Sequence, residues 1–284
     1  MSVISVIDAH QHFWRITRGD YGWLTPQQGV LYRDFAPEDL RQELADCHVT
    51  ATVVVQAAPT EAETRFLIGL SRDHAEIRDI IGWVDFEAPD VRTRVRALVA
   101  EGGGKLKGLR PMVQDIEDSN WLARPALDAA FEVLMENDLT FDALAKPVHL
   151  EALLQRLRQY PGLAAVLDHA GKPDIAAGSF EPWAKHIERL AGTTSMCCKL
   201  SGLLTEAEPA AGVEVLDPYV AHVFACFGPE RVMWGSDWPV VTTRASYREW
   251  LDMARRLVAR HAPGSEESVF RSCAMRCYRL DLHN

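Results

Sequence analysis

At 284 residues the chain suits one barrel-sized domain or two average ones, and with 48% apolar and 25% charged residues it can bury a large core. A formal charge of −10 and a pI near 5.5 argue against nucleic acid or an anionic membrane surface as partner. No apolar run reaches the roughly 18 residues of a membrane span, which leaves a small molecule as the expected ligand and a homo-oligomer as an open option.

The six cysteines are Cys47, Cys197, Cys198, Cys226, Cys273 and Cys277. None forms a CxxC pair, so they read as buried thiols of a reducing compartment. The N-terminus lacks a basic region followed by an apolar stretch, and a cytoplasmic protein without a signal peptide is expected.

Taken in order, the chain alternates apolar strands with helical segments. Strand one, Val3 to His12, ends in His10-Gln11-His12, and the period of two puts both imidazoles on one face beside Phe13 and Trp14. A long aromatic loop, Trp14 to Phe35, follows as a candidate wall or lid. Helix one starts at Pro37, with Glu38 and Asp39 suiting its first turn. Strand two is Thr52–Ala57, helix two about Thr60–His74, strand three Ile77–Phe86, helix three Asp90–Glu101 and strand four Leu106–Val113. Helix four is expected over about Asn120–Asn137, strand five over Thr140–Leu144, and helix five from Pro147 to Tyr160. Strand six is Ala164–His169, helix six about Phe180–Ala191, strand seven Met196–Leu203 and helix seven about Pro218–Phe227. Strand eight is Arg231–Trp238 and helix eight about Ser246–His261, with a last helix from Ser265 to about Tyr278.

Eight βα units of this kind, with strands such as TVVVQA apolar on both faces, point to parallel strands and crossover helices. A single-domain (β/α)8 TIM barrel fits the length; the competing doubly wound sheet wants a glycine-rich turn after an early strand, where this chain has HQHFWR.

Barrels of this kind carry their chemistry at the C-terminal strand ends. Those ends supply His10 and His12, Arg110, Asp142, His169 with Lys172 just beyond it, Ser201 and Asp237. Asp168, next to His169, is expected to point the other way, into the helix layer. A barrel-end ion pair of Arg110 with Asp142 is the structural alternative to a role in binding.

VIDAHQHFW on strand one, LDHAGKP on strand six and RVMWGSDWP on strand eight resemble the amidohydrolase superfamily, and within it the branch of lactonases that open sugar lactones and related cyclic esters. The resemblance runs from the first strand to the eighth and implies a distorted (β/α)8 barrel with hydrolysis at its mouth. Metal-dependent members use strand-one histidines, ligands on middle strands and a strand-eight aspartate. Carried over, that gives His10, His12, His169 and Asp237 as candidate ligands of a single divalent ion such as Zn²⁺. The two-metal version is not matched: strand five ends in FDALAKP, His149 falls in helix five, and Lys107 is a doubtful bridge. Because the lactonase branch includes members that work without a metal, none is assumed to be required.

The resemblance makes Asp237 the general base on water, with His169 and Arg110 polarising the carbonyl. His10, His12, Trp14 and Lys172 are expected to bind substrate, and Trp23 and Trp238 are further stacking candidates. The substrate implied is an aldonolactone similar to L-fucono- or L-rhamnono-lactone. Three rivals share the barrel: a Zn²⁺-dependent decarboxylase, a non-catalytic sugar-acid binder, and a hydrolase of a carboxylated lactone from aromatic degradation that would enlist Arg15 or Arg33.

Overall fold

The structure, a computed structural model, describes residues 5–280. Eight parallel strands follow one another around a single sheet in sequence order. They are β1 (Val6–Gln11), β2 (Val49–Val55), β3 (Ile77–Gly82), β4 (Leu106–Leu109), β5 (Thr140–Ala143), β6 (Ala165–Leu167), β7 (Cys197–Leu200) and β8 (Val232–Trp234). The last strand returns to the first: Asp237 N–H donates to His10 O (2.8 Å) and His12 N–H to Trp238 O (2.7 Å). This is the expected (β/α)8 barrel. The start of the expected first strand, Val3, lies outside the described residues.

Around the sheet stand α1 (Pro37–Asp46), α2 (Glu61–Asp73), α3 (Val91–Gly102), α4 (Asp128–Glu136), α5 (Leu150–Gln159), α6 (Glu181–Thr193), α7 (Val213–Phe227), α8 (Tyr247–His261) and α9 (Cys273–Tyr278). Thr60 and Ser246 cap α2 and α8 by accepting from the backbone N–H three residues on. The strands are shorter than their apolar runs suggest, because the run continues into the loop that lines the mouth. Helix four starts late: Pro125 holds Arg124 extended (φ −66°, ψ 128°) and breaks the segment into two short 3₁₀ turns before α4. Helix seven starts early, with Pro218 inside α7. Among the described residues, no helix is long and apolar enough to cross a membrane.

Two apolar clusters match the alternation of the strands. The larger lies between strands and helices; the smaller, including Ile7, Ala9, Val53, Val55 and Val166, fills the barrel together with Cys273, Ala274 and Tyr278. Helix α9 thus plugs the barrel floor. Cys197, opening β7, is joined to Cys277 of α9 by a disulfide, whereas Cys47, Cys198, Cys226 and Cys273 remain thiols. The expectation of six thiols is corrected for this pair. Eighty residues separate the two, and only the docking of α9 brings them together.

Candidate active site

At the C-terminal end of the strands lies a cavity of about 230 Å³ lined by His12, Trp14, Trp23, Ala57, Arg110, Met112, Gln114, Asp115, Leu144, His169, Lys172, Thr205, Asp237 and Val240. Six of the seven anticipated site residues, His12, Trp14, Arg110, His169, Lys172 and Asp237, face it. The seventh, His10, is fully buried one layer below.

The strand-one pair is positioned by an irregularity. The β1–β2 register slips between Asp8 and Gln11. The Asp8 carboxylate consequently faces the helix layer, accepting from Tyr247 Oη (2.9 Å), while His10 turns into the barrel. Its Nε2 lies 3.2 Å from His12 Nε2. His12 Nδ1 is 2.7 Å from Val55 O, and a carbonyl only accepts, so Nδ1 of His12 carries a proton, while its Nε2 faces the cavity.

Asp237 follows β8 in a left-handed turn (φ 58°), which brings its carboxylate over the barrel axis. Oδ1 is 3.4 Å from His12 Nε2 and 3.8 Å from His10 Nε2. Burial works against its charge, but His169, itself cationic at the low pH where this carboxyl would take up a proton, outweighs that together with the neighbouring imidazoles and holds the carboxyl well below the usual carboxylate range. A buried, ionised carboxylate therefore stands at the cavity wall at any ordinary pH.

Strand six departs from the expected alternation. Asp168 follows Val166 to the inside of the barrel, correcting its assignment to the helix layer. His169 also reaches the site because its own backbone is left-handed (φ 52°). Nδ1 of His169 is hydrogen-bonded to Ser201 Oγ (2.9 Å), and Gly202 (φ 64°) gives the ring room: a Cβ there would sit 2.4 Å from Nδ1. Burial pushes the His169 imidazole down to about 4 despite the carboxylates of Asp237 and Asp168, so the ring is neutral near pH 7.

Arg110 pairs with Asp168 (Nη1–Oδ2 3.2 Å), not with Asp142, and donates through Nη2 to Gln56 O. Asp142 instead pairs with Lys199 (2.7 Å). Lys199 is the chief residue the sequence reading missed. It lies in the middle of the apolar run MCCKLSGL, and inward alternation from Cys197 was the available signal. Its fully buried ammonium is 3.0 Å from Asp168 Oδ1 and 3.1 Å from His10 Nδ1. Burial and the Lys199 charge keep the His10 imidazole well below its ordinary value, so it too is neutral. Met112, Gln114, Asp115 and Thr205 were also missed, since they lie in turns that no motif marks.

The remaining candidates take other places. Lys172 lines the cavity but is ion-paired with Glu206. Trp14 and Trp23 spend their indole N–H groups on Arg33 O (2.8 Å) and Ala57 O (2.7 Å). Trp238 packs between Phe13 and Phe35 and is not part of the wall. Arg33 pairs with Asp39, and Arg15 lies beside Phe66; neither lines the cavity. His149 is tied to the chain at Lys146 N (3.1 Å), and Lys107 lies 3.8 Å from Asp79, away from the cavity.

Ligand atoms of His10, His12 and Asp237 converge within 4.8 Å, a donor set that suits a divalent ion by residue type. By electrostatics it does not fit. Both nitrogens of His10 face cations, Lys199 Nζ at Nδ1 and Arg110 Nη1 (3.3 Å) at Nε2.

Comparison with known proteins agrees with this architecture. Residues 7–280 match the model of the amidohydrolase family. An L-fucono-1,5-lactonase of Burkholderia ambifaria is 40% identical, over 97% of this chain and 96% of its own. An L-fucono-1,5-lactonase of Burkholderia multivorans is 36% identical, with 96% of each chain covered. The crystal structure of an amidohydrolase from Burkholderia multivorans with bound Zn superposes with a TM-score of 0.91 at 34% identity, covering 97% of this chain and 99% of that one. From the strand-end histidines, the strand-eight aspartate and a family match over nearly its whole length, the chain belongs to the amidohydrolase family.

Proposed function

We propose that this chain hydrolyses a sugar lactone, of the L-fucono- or L-rhamnono-lactone type, to the aldonic acid. The observation that carries the reading is Asp237: buried, ionised and 3.4 Å from His12 Nε2, in a cavity that also presents Arg110 and His169. That is a base beside fixed donors, and a cyclic ester needs little more.

Asp237 takes a proton from water as the water oxygen bonds to the lactone carbonyl carbon. Negative charge then builds on the carbonyl oxygen, where Arg110 and His169 supply N–H donors. With Ser201 donating to its Nδ1, the neutral His169 presents its Nε2 proton. Collapse of the tetrahedral intermediate breaks the bond between the acyl carbon and the ring oxygen, and Asp237 returns its proton to that oxygen. The products are one carboxyl group and one hydroxyl. No step runs through a metal, in keeping with the two cations that flank His10.

The cavity also favours a neutral, polyhydroxylated ligand. Trp14 and Trp23 offer ring surface with their N–H groups already used, while Gln114, Asp115, Thr205 and Lys172 offer polar atoms. Arg110 and Lys172 are each paired with a carboxylate, and Arg15 and Arg33 do not line the cavity. A lactone bearing several carboxylates would therefore meet no spare cation among those four residues.

The test is acid release from a panel of aldonolactones, with and without prolonged chelation. Turnover that survives chelation and falls by about 10²-fold or more in Asp237→Asn is expected. Turnover lost on chelation and restored by Zn²⁺ would move base function to metal-bound water; no turnover on any sugar lactone would end the substrate assignment.

A further inference from the structure

Glu63 lies on the first turn of α2, fully buried and outside the cavity, yet it is linked to three residues of the cavity wall. Its Oε1 accepts from Ala57 N–H (3.0 Å) and its Oε2 from Tyr21 Oη (2.7 Å). Arg18, itself paired with Asp20, brings Nη2 to 3.4 Å from Oε2. The peptide between Gln56 and Ala57 therefore has its N–H on a carboxylate. Its carbonyl, Gln56 O, accepts from the Arg110 guanidinium through Nη2. The next carbonyl, Ala57 O, accepts from Trp23 Nε1 (2.7 Å). Ala57, Arg110 and Trp23 all line the cavity.

We infer that Glu63 is a positioning residue of the active site: by fixing the peptide between Gln56 and Ala57 it orients the Arg110 guanidinium, and through Ala57 O the Trp23 ring. A peptide group is planar, so its N–H and C=O cannot turn independently. With the N–H held by Glu63, Gln56 O stays aimed at Arg110, and each of the two hydrogen bonds polarises the peptide in the sense that strengthens the other. Gln56 Nε2 adds a second tie by donating to Arg110 O (2.8 Å). Nη1 of Arg110 serves Asp168 Oδ2 (3.2 Å) and His10 Nε2 (3.3 Å). Gln56 O holds Nη2, and one Nη2 hydrogen is left for a substrate carbonyl. On the other side, Ala57 O sets the tilt of Trp23, which meets Trp14 edge-on with 5.3 Å between ring centroids. Tyr21 fastens the aromatic loop to the same carboxylate. Protonated or ionised, the carboxyl keeps an oxygen that accepts from Ala57 N–H, so the hold on Arg110 survives the titration of Glu63.

The kinetic consequence rests on the lactonase reading, but the link from Glu63 to Arg110 can be measured without substrate. In ¹⁵N-labelled wild type, the Ala57 amide and Arg110 Nη2 signals are expected to move together as Glu63, raised by burial to about 7, titrates, and to stand still in Glu63→Gln. The Arg110 signal is identified by its loss in Arg110→Met. An Arg110 signal that ignores the ionisation of Glu63, or that moves the same way in Glu63→Gln, overturns the inference. On a sugar lactone, Glu63→Leu, which leaves Ala57 N–H without its acceptor, is expected to lower kcat by about 10- to 100-fold, whereas Glu63→Gln, whose amide oxygen still accepts, stays within about threefold of wild type. In an Arg110→Met background, Glu63→Leu should change kcat by no more than about twofold, because both substitutions remove the same interaction. Losses that multiply overturn the inference; if Glu63→Leu does not fold, the spectra of the wild type and Glu63→Gln decide alone. A wild type that shows the coupled titration but opens no sugar lactone refutes the function and leaves the role of Glu63 standing.

Discussion

Tyr278 Oη donates to Asp142 Oδ2 at 2.7 Å, a contact between the last helix and the fifth strand, 136 residues apart in sequence. Asp142 in turn holds Lys199 (2.7 Å), and Lys199 holds His10. The floor of the barrel is thus continuous, through three buried charged or polar side chains, with the histidine beneath the active site. Tyr278→Phe removes the donor and leaves a buried carboxylate one partner short. A loss of about 1–3 kcal/mol is expected in urea unfolding, the cost of one unmet buried hydrogen bond.

Gly202 and His169 make a second tight relationship. At φ 64°, Gly202 leaves the space in which His169 stands, and an alanine Cβ would meet Nδ1 at 2.4 Å. Gly202→Ala is expected to cost roughly 1–3 kcal/mol from backbone strain and overpacking. By displacing the ring it should also lower kcat/KM on a sugar lactone by about 100-fold. Stability and turnover measured on the same preparation separate the two effects.

The pH profile of turnover follows from two buried groups. Asp237 is held well below the usual carboxylate range, so the base is ready throughout the ordinary pH scale. His169 is pushed down by burial to about 4. Above that value it is neutral; below it, an imidazolium beside Asp237 would tie up the carboxylate as an ion pair. We expect kcat/KM to stay level from neutral pH to about 5 and to fall as His169 protonates near 4. An acid limb centred near an ordinary histidine value of about 6.5 would contradict the burial of this ring.

Glu63 predicts a pH dependence of stability. It joins the aromatic loop to the end of β2, accepting from Tyr21 Oη (2.7 Å) and Ala57 N (3.0 Å). Burial raises its carboxyl from 4.5 to about 7, against those hydrogen bonds and the Arg18 charge. A raised folded value means that the native state binds the proton more tightly. The resulting stability is fully present below 4.5 and is lost as pH rises through about 7. Glu63→Gln keeps the shape without the titration. Its stability relative to wild type should therefore improve between pH 5 and pH 8, by an amount on the order of 2 kcal/mol. Urea unfolding of both proteins at the two pH values checks it.

Much of this molecule is legible along the chain, because the relevant physics is local. Strand periodicity, caps such as Thr60 and Ser246, and prolines that open helices depend on neighbours a few residues away. They foretold eight βα units and hence a barrel whose strand ends gather His12, Arg110, His169 and Asp237. What the tertiary structure decided is where alternation breaks and which charges meet. The slip between Asp8 and Gln11 sends the Asp8 carboxylate to the helix layer and His10 into the barrel. The left-handed backbone at His169 lets Asp168 and His169 serve the same site, which an ideal strand forbids. Lys199 reads as an anomaly in an apolar run until β5 and β6 bring Asp142 and Asp168 to it. The Cys197–Cys277 bond exists only because α9 folds back under β7. Composition and periodicity define the scaffold, since each element follows from its own residues. The proton positions and ion pairs that give the scaffold its chemistry depend on side chains from strands far apart in sequence, and burial in a shared low-dielectric interior fixes their partners.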